Sequence, residues 1–197
     1  MKNIKNNVSK IVIRNFEDHK FVLDEVISSK ELLEDIKNIS KNILKSIKSG
    51  GKIIVCGNGG SFADALHFNS ELIGRYKKNR KPIPSIVLGS NPSSLTAISN
   101  DFNYDNSFVR DFEALAKKND FLIAISTSGK SKNVLKVINK AINLNIDTVF
   151  FTGKIKNNIK SNNLKTLNIP SKDTARIQEL HYIIFHIISE IVEENLF

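Results

Sequence analysis

The stretch of this sequence best suited to chemistry is a glycine-rich turn that leads into a helix carrying an imidazole and a carboxylate. Residues 57–72 read GNGGSFADALHFNSEL and follow the apolar run Lys52–Cys56, so the order is strand, tight turn, helix. The glycines can take positive φ angles, and the start of the helix favours an anion such as phosphate. His67 and Glu71 share one helical face and can bind one ligand. A turn without a ligand and a surface His–Glu contact are the simpler alternatives.

A second candidate loop, Ser126-Thr127-Ser128-Gly129-Lys130-Ser131, follows the apolar run Phe121–Ile125. Its hydroxyl groups precede a predicted helix, where hydroxyl and amide donors can bind phosphate oxygens. Residues 124–131 also approach the nucleotide-binding pattern G-x-x-x-x-G-K-[ST], with alanine in place of the first glycine. A nucleotide site needs an acidic residue at the end of another apolar strand to hold Mg²⁺. The runs SIVLGS and TVFFTG contain none, which disfavours a nucleotide site.

A third cluster lies in the last helical pattern, which has a broad apolar face. Gln178, His181 and His186 interrupt that face. A histidine in such a position is more often a core residue than a ligand, so these residues do not by themselves establish a site.

Composition limits the class of protein. With 197 residues and 41% apolar content the chain can bury one core, and one domain is expected. It contains neither a signal-peptide pattern nor an apolar run of about 18 residues, so we expect a soluble, cytoplasmic protein without a membrane partner. The single cysteine, Cys56, excludes an internal disulfide and a cysteine-based zinc knuckle. The net charge of +9 comes from scattered lysines, which suits anionic metabolites better than nucleic acid.

Strand and helix patterns alternate along the chain. Apolar runs predict five strands, at Lys52–Cys56, Ser85–Leu88, Phe121–Ile125, Thr148–Phe151 and Thr166–Ile169. Helical patterns cover Val8–Ser28, Glu31–Ser49, Phe62–Tyr76, Ser93–Ser99, Phe108–Lys117, Asn133–Leu144, a weaker stretch at 155–162, and Thr174–Asn195. This alternation predicts an α/β fold, a three-layer αβα sandwich around a five-stranded parallel sheet, with ligands at the carboxyl ends of the strands. The two N-terminal helices, in residues 1–50, are additional and can pack on a partner subunit or cap their own domain.

Four motifs in this order resemble those of the phosphoheptose isomerases, which have the SIS (sugar isomerase) fold: CGNGGSFADALHFNSELIGRY, AISNDF, ISTSGKSKNVL and PSKDTARIQELHYIIFHIISEIVE. The resemblance spans about residues 51–193, and it implies that residues 51–197 are a SIS domain to which the helices of 1–50 belong as oligomer contacts. It also implies a homotetramer with active sites between subunits. The implied reaction converts sedoheptulose 7-phosphate to D-glycero-D-manno-heptose 7-phosphate, for bacterial lipopolysaccharide or capsule.

The resemblance also assigns residues. It implies one zinc ion per subunit, held by His67, Glu71, Gln178 and His186. The implied substrate contacts are Asn58, Gly59, Gly60, Glu71, Asn100, Asp101, Ser126, Thr127, Ser128, Ser131 and Gln178.

These residue types suit the implied chemistry. Moving a carbonyl between C1 and C2 needs a base for a carbon-bound proton, stabilisation of an enediolate, and an acid for the oxygens. We interpret Glu71 as the base and His186 as the acid, with the Ser126–Ser131 loop holding the phosphate. A zinc-bound carboxylate loses basicity, so the metal must exchange with substrate or be partly structural.

Spacing along the last helix gives one further expectation. Gln178 and His186 are eight residues apart, about 12 Å along a straight helix, which is far for two ligands of one ion. We therefore expect one of the two to come from a neighbouring subunit.

Two segments depart from the family pattern. Ser90-Asn91-Pro92-Ser93 replaces a Thr-Asp-Thr-Ser-like turn. Gly153–Asn158 replaces a glycine-rich segment, and we interpret this loop of the chain as variable surface. The loss of a charge at Asn91 affects substrate detail rather than the type of reaction.

Two other classes of protein remain alternatives. One is a non-catalytic SIS protein that binds a replication initiator, and the other is a sugar-phosphate-sensing or nucleic-acid-associated module.

Overall fold

The computed structural model describes residues 2–155, 159 and 161–197. Within them, the α-helices are α1 (Lys2–Ser28), α2 (Lys30–Lys48), α3 (Gly60–Ile73), α4 (Pro92–Phe102), α5 (Ser107–Leu115), α6 (Lys132–Asn143) and α7 (Thr174–Leu196). The strands are β1 (Ile53–Cys56), β2 (Ser85–Val87), β3 (Phe121–Ile125), β4 (Asp147–Thr152) and β5 (Leu164–Asn168). A short 3₁₀ helix at Tyr104–Asn106 was not predicted.

The five strands form one parallel sheet in the order β2-β1-β3-β4-β5. Every residue of β1 and β3 is buried, because helices cover both faces of the sheet. This explains why the central strands are continuous apolar runs in the sequence. The predicted α/β fold with a five-stranded parallel sheet is confirmed.

Two apolar clusters lie on opposite faces of the sheet. One joins β1, β3 and β4 to α2, α3 and α7 through residues such as Ile43, Phe68 and Phe185. The other packs α5 and α6 on the opposite face through residues such as Phe112 and Val137. Alternate residues of a strand point to opposite faces, so the same strands supply both cores.

Some element boundaries differ from the predictions. Helix α3 ends at Ile73 rather than at Tyr76, and the chain turns away at Gly74. Strand β5 begins at Leu164, two residues earlier than predicted. The weak helical pattern at 155–162 and the segment 153–158 lie partly outside the described residues, and none of their described residues is helical.

The N-terminal helix projects from the fold. Its side chains from Asn7 to Asp18 are all exposed, including Val12 and Phe16. Its backbone meets α7 at Asn15, whose carbonyl oxygen accepts a hydrogen bond from Arg176, and its buried side chains Val22 and Val26 join the core cluster that contains α2 and α7. Among the described residues, no helix is both long and apolar enough to cross a membrane.

Candidate active site

Helices α3 and α7 lie side by side and run in the same direction. Gly60 contacts Gln178 near the start of both helices. Further along, the rings of Phe68 and Phe185 pack with their centroids 4.9 Å apart. Residues at matching depths of the two helices therefore face each other, and this brings the two histidines of the predicted site together.

Three of the four predicted metal ligands converge between these helices. The Nε2 atom of His67 lies 3.1 Å from Nε2 of His186 and 3.2 Å from Oε1 of Glu71. One ligand atom from each of the three residues lies within 4.8 Å of the other two, and all three side chains are half-buried. Two imidazole nitrogens and one carboxylate oxygen fit a tetrahedral zinc site that keeps a further position open.

Aromatic rings enclose the two histidines. Tyr182 stacks on His67 with the centroids 4.5 Å apart, and Tyr76 stacks on His186 at 5.7 Å. Burial lowers the pKa of His186 below its usual value, and nearby His67 lowers it further, while Glu71 partly opposes the shift. His186 therefore favours the neutral form, which is the form that binds a metal ion.

The fourth predicted ligand, Gln178, does not join the other three within one chain. A Cβ atom added to Gly60 would come within 2.1 Å of the Gln178 side-chain nitrogen, so this side chain lies directly on Gly60. Gly60 precedes His67 by seven residues, about 10 Å along α3. Gln178 thus lies next to the glycine turn, as a substrate contact would, and its assignment as a ligand stays a prediction.

The glycine turn gives the start of α3 no side-chain cap. Gly59 is the N-cap residue of α3 and has a φ of 56°. Because glycine has no side chain, no side-chain hydrogen bond reaches the first N–H groups of the helix. Asn58 exchanges two side-chain hydrogen bonds of 2.9 Å with Asn133 and accepts another of 2.7 Å from the Tyr104 hydroxyl. Sequence reasoning missed Asn133 and Tyr104, because no local pattern links them to Asn58.

The hydroxyl-rich loop forms a compact group at the start of α6. The hydroxyl of Ser126 lies 3.0 Å from that of Ser131 and 3.5 Å from that of Ser128. Ser131 is the N-cap residue of α6, but its side chain makes no hydrogen bond to the start of that helix. Thr127, in the same loop, is half-buried. Lys130 is exposed. The loop therefore presents hydroxyl groups and the N-terminus of a helix together, an arrangement that suits a phosphate group.

The predicted substrate residues Asn100 and Asp101 lie near the end of α4. Both are exposed, and the Asn100 side chain donates to Asp101 at 2.9 Å. No residue of α4 is buried. The divergent residue Asn91 caps this helix by accepting hydrogen bonds from the N–H groups of Ser93 and Ser94. Asparagine and aspartate are equally good caps, so the change preserves the helix start.

Two further titratable groups lie near the site. Asp64 precedes His67 by three residues on the same helical face, and burial raises its pKa to about 6. Its Oδ2 atom is buried and lacks a hydrogen-bond partner among the described residues. Sequence reasoning missed Asp64, although its spacing from His67 and Glu71 was the available signal.

Burial raises the pKa of Cys56 to about 12, and a backbone hydrogen bond from Ile125 opposes this by a smaller amount. The raised pKa makes the thiol unreactive.

Comparison with known proteins gives consistent matches. The family model described as SIS domain matches residues 16–153. The chain is 44% identical over 187 residues to the phosphoheptose isomerase of Aliarcobacter butzleri, covering 94% of this chain and 97% of that protein. It is 42% identical over 188 residues to the phosphoheptose isomerase of Helicobacter pylori, with 95% and 97% covered. The solved phosphoheptose isomerase of Neisseria gonorrhoeae matches with a TM-score of 0.88 at 31% identity, over 95% of this chain and 99% of that one.

Proposed function

The chain belongs to the phosphoheptose isomerases of the SIS-domain family, and from this premise we propose that His67, Glu71 and His186 form the centre of its active site. The protein is an aldose–ketose isomerase that acts on sedoheptulose 7-phosphate in heptose biosynthesis. The observation that carries the assignment of the site is the convergence of three donor atoms within 4.8 Å. The aldose product is D-glycero-D-manno-heptose 7-phosphate.

The reaction moves a carbonyl group between C1 and C2 of the sugar. In our proposal the Glu71 carboxylate removes a proton from carbon and returns it to the neighbouring carbon, through an enediolate. The hydroxyl proton passes from the oxygen on C1 to the oxygen on C2 within the enediolate, and His186, as a neutral imidazole, donates a hydrogen bond from a ring N–H to the oxygen on which charge develops. The aromatic rings of Tyr76 and Tyr182 support this role, because they fix both histidine rings and limit water at their faces.

We propose that zinc, one ion per subunit, is held by His67, Glu71 and His186, with Gln178 of a neighbouring subunit as a further ligand. When bound, zinc would supply positive charge that polarises the oxygens of the substrate. A carboxylate that binds metal is a weaker base, so the two roles of Glu71 compete. Asp64 offers a second carboxyl on the same face, with a pKa of about 6 that suits proton transfer near neutral pH.

The substrate phosphate binds at the hydroxyl-rich loop in this proposal. The clustered hydroxyls of Ser126, Ser128 and Ser131 and the open start of α6 support it. Asn58, Gly59 and Gly60 contact the sugar from the neighbouring loop, where Tyr104 and Asn133 already fix the Asn58 side chain. Holding the phosphate fixes the position of the reacting carbons, and this supplies much of the rate acceleration in such enzymes.

A homotetramer with active sites between subunits completes the proposal. The surface area of the isolated chain is 11087 Å², while a folded monomer of this mass typically exposes about 9,300 Å². The part of α1 with exposed side chains, residues 7–18, supports burial by a second copy, because an isolated helical segment of this length is marginal in water. In this proposal residues 1–50 belong to the same domain as 51–197, which is supported by the contribution of α1 and α2 to one core. The cytoplasmic location stays a prediction.

The direct test is to incubate the purified protein with sedoheptulose 7-phosphate and to follow formation of the aldose. We expect conversion in both directions, with sedoheptulose lacking the phosphate as a poor substrate in the control. Tight binding of the sugar phosphate without any turnover would instead indicate a non-catalytic phosphosugar-binding protein.

A further inference from the structure

A buried ion pair joins the far ends of the two helices that carry the site. The Arg80 Nε atom donates to Oε2 of Glu193 at 2.8 Å, and both side chains are only 1% exposed. Glu193 lies on α7 seven residues after His186, so its side chain lies about two turns beyond that histidine on the same side of the helix. Arg80 follows the end of α3 by seven residues.

The Glu193 carboxylate binds the segment that leaves α3. It accepts backbone hydrogen bonds from Tyr76 at 3.1 Å, Lys77 at 2.8 Å and Lys78 at 2.6 Å, in addition to the bond from Arg80. Burial alone would raise the pKa of Glu193, but these four donors outweigh it and lower the pKa. Glu193 is therefore a carboxylate at neutral pH and holds three consecutive residues of this segment.

The Arg80 guanidinium binds the end of α3 itself. It donates to the carbonyl oxygen of Glu71 at 2.6 Å and to that of Leu72 at 2.8 Å. Carbonyl groups in the last turn of a helix lack intrahelical partners, so these bonds fix the turn from which the Glu71 side chain extends. Lysine could not make the same set of bonds, because its donors are not arranged in a planar fork.

The same contacts fix the ring that stacks on His186. Tyr76 is held by its backbone N–H to Glu193, while its ring lies 5.7 Å from the His186 ring at an interplanar angle of 27°. One carboxylate therefore ties the backbone of Tyr76 to the helix that carries His186.

We infer that Arg80 and Glu193 are positioning residues, which set Glu71 and the Tyr76–His186 stack in the geometry that binds the metal and the substrate. This inference rests on the proposed active site at His67, Glu71 and His186. An ion pair with both partners buried is a costly way to join two helices, and an apolar pair often does so at least as well. The charged pair is suited instead to a fixed geometry, because its hydrogen bonds outside the pair go to backbone groups of residues 71–81, the stretch that carries Glu71 and Tyr76.

The test compares the isosteric variant Glu193→Gln with Glu194→Gln as a matched control. Glu194 is the next residue, and its side chain is 55% exposed and pairs with the exposed Lys78 side chain. We expect Glu193→Gln to weaken zinc binding about 10- to 100-fold, the usual effect of losing a group that orients metal ligands. We expect kcat to fall by a similar factor with little change in KM, because the phosphate loop is untouched. Glu194→Gln should match the wild type in zinc binding and kcat.

A second variant keeps the inference testable if Glu193→Gln fails to fold. Arg80→Lys retains the charge that pairs with Glu193 but loses the fork to the carbonyl groups of Glu71 and Leu72, so an intermediate loss of zinc affinity is expected. The chain has only four histidines, so NMR of the ring nitrogens can follow His186 directly. In both variants the His186 signals should shift, while those of His19 should not.

The outcomes separate this inference from the proposed function. Zinc affinity and kcat within twofold of the wild type in both variants, with unshifted His186 signals, would overturn the positioning role, even if the melting temperature fell. A wild-type protein that isomerises the substrate without binding zinc would instead refute the proposed metal site, and with it the premise of the inference.

Discussion

The Nε2 atoms of His67 and His186 lie 3.1 Å apart, although 119 residues separate them in the chain. Each histidine is held in place by an aromatic ring, Tyr182 for His67 and Tyr76 for His186. With Glu71 they form the one group of histidine, cysteine and acidic side chains in the described chain whose ligand atoms lie close enough to hold a metal ion.

Glu71→Gln should reduce turnover by roughly two to four orders of magnitude, because it removes the base while preserving size. Rates of aldose formation from sedoheptulose 7-phosphate measure this. Glu113→Gln, a change in a surface pair with Lys140, is the control and should leave the rate unchanged. If Glu71→Gln stays within a few-fold of the wild type while Asp64→Asn is inactive, the base is Asp64.

The purified protein should contain close to one zinc ion per chain, and His67→Ala should abolish zinc binding, because the variant loses one of three convergent donors. Metal analysis by mass spectrometry measures the content. His19→Ala is the matched control, since His19 pairs with Glu179 outside the cluster and the variant should keep its metal. Full zinc occupancy in His67→Ala would mean that the ligands are wrongly assigned.

Mixed subunits should reveal whether Gln178 and His186 of one site come from different chains. Gln178→Ala and His186→Ala proteins should each be inactive. If the two ligands come from different subunits, random mixing after dissociation should restore up to about a quarter of the wild-type activity. As a control, each variant is dissociated and reassembled by itself and then assayed in the same way. Absence of recovery in verified mixed oligomers would place both ligands in one chain.

Replacing Ser126 and Ser128 with alanine should weaken substrate binding by at least about tenfold. Two donors to a phosphate dianion are lost, and each such bond is worth roughly 1.5–3 kcal/mol. Lys130→Ala should change affinity little, because Lys130 is exposed. Substrate titration by calorimetry, with an inactive Glu71→Gln background, separates binding from turnover. A larger loss in Lys130→Ala, or tight binding of ATP with Mg²⁺, would favour the nucleotide-loop interpretation of residues 124–131.

Stability should fall in acid because of His181, which is fully buried against Phe151 and Phe185. Burial lowers its pKa to about 4, and the Thr152 backbone offsets this only partly. The unfolded chain takes up the proton near pH 6.5. Neutral His181 therefore makes its full contribution to the free energy of unfolding above that pH, and this contribution is lost as the pH falls towards 4. The free energy of unfolding should fall by roughly 3 kcal/mol over this pH range.

The measurement is denaturant unfolding of the wild type and of His181→Leu between pH 7 and pH 4. The variant should be the less pH-sensitive of the two, even if its stability at pH 7 is lower from imperfect packing. Parallel curves for the two proteins would show that His181 is not the cause.

The sequence by itself determined the strands, the two loops and part of the candidate metal site. Strand β3 was predicted at its exact boundaries, because a buried parallel strand is a continuous apolar run that ends where polar loop residues begin. The pair His67 and Glu71 was also readable, because four residues along a helix bring two side chains to one face. Both signals are local, since they depend only on neighbours within a turn or a strand.

Tertiary structure alone decided which residues from different elements meet. It brought His186 to His67, placed Gln178 at Gly60 instead, and joined Arg80 to Glu193 across 113 residues. It also ended α3 at Ile73, where the Arg80 and Glu193 contacts hold the departing chain, although the helical pattern continues to Tyr76. No periodicity encodes such contacts, because they depend on how the apolar faces of α3 and α7 pack against the sheet and on the depth at which the two helices align.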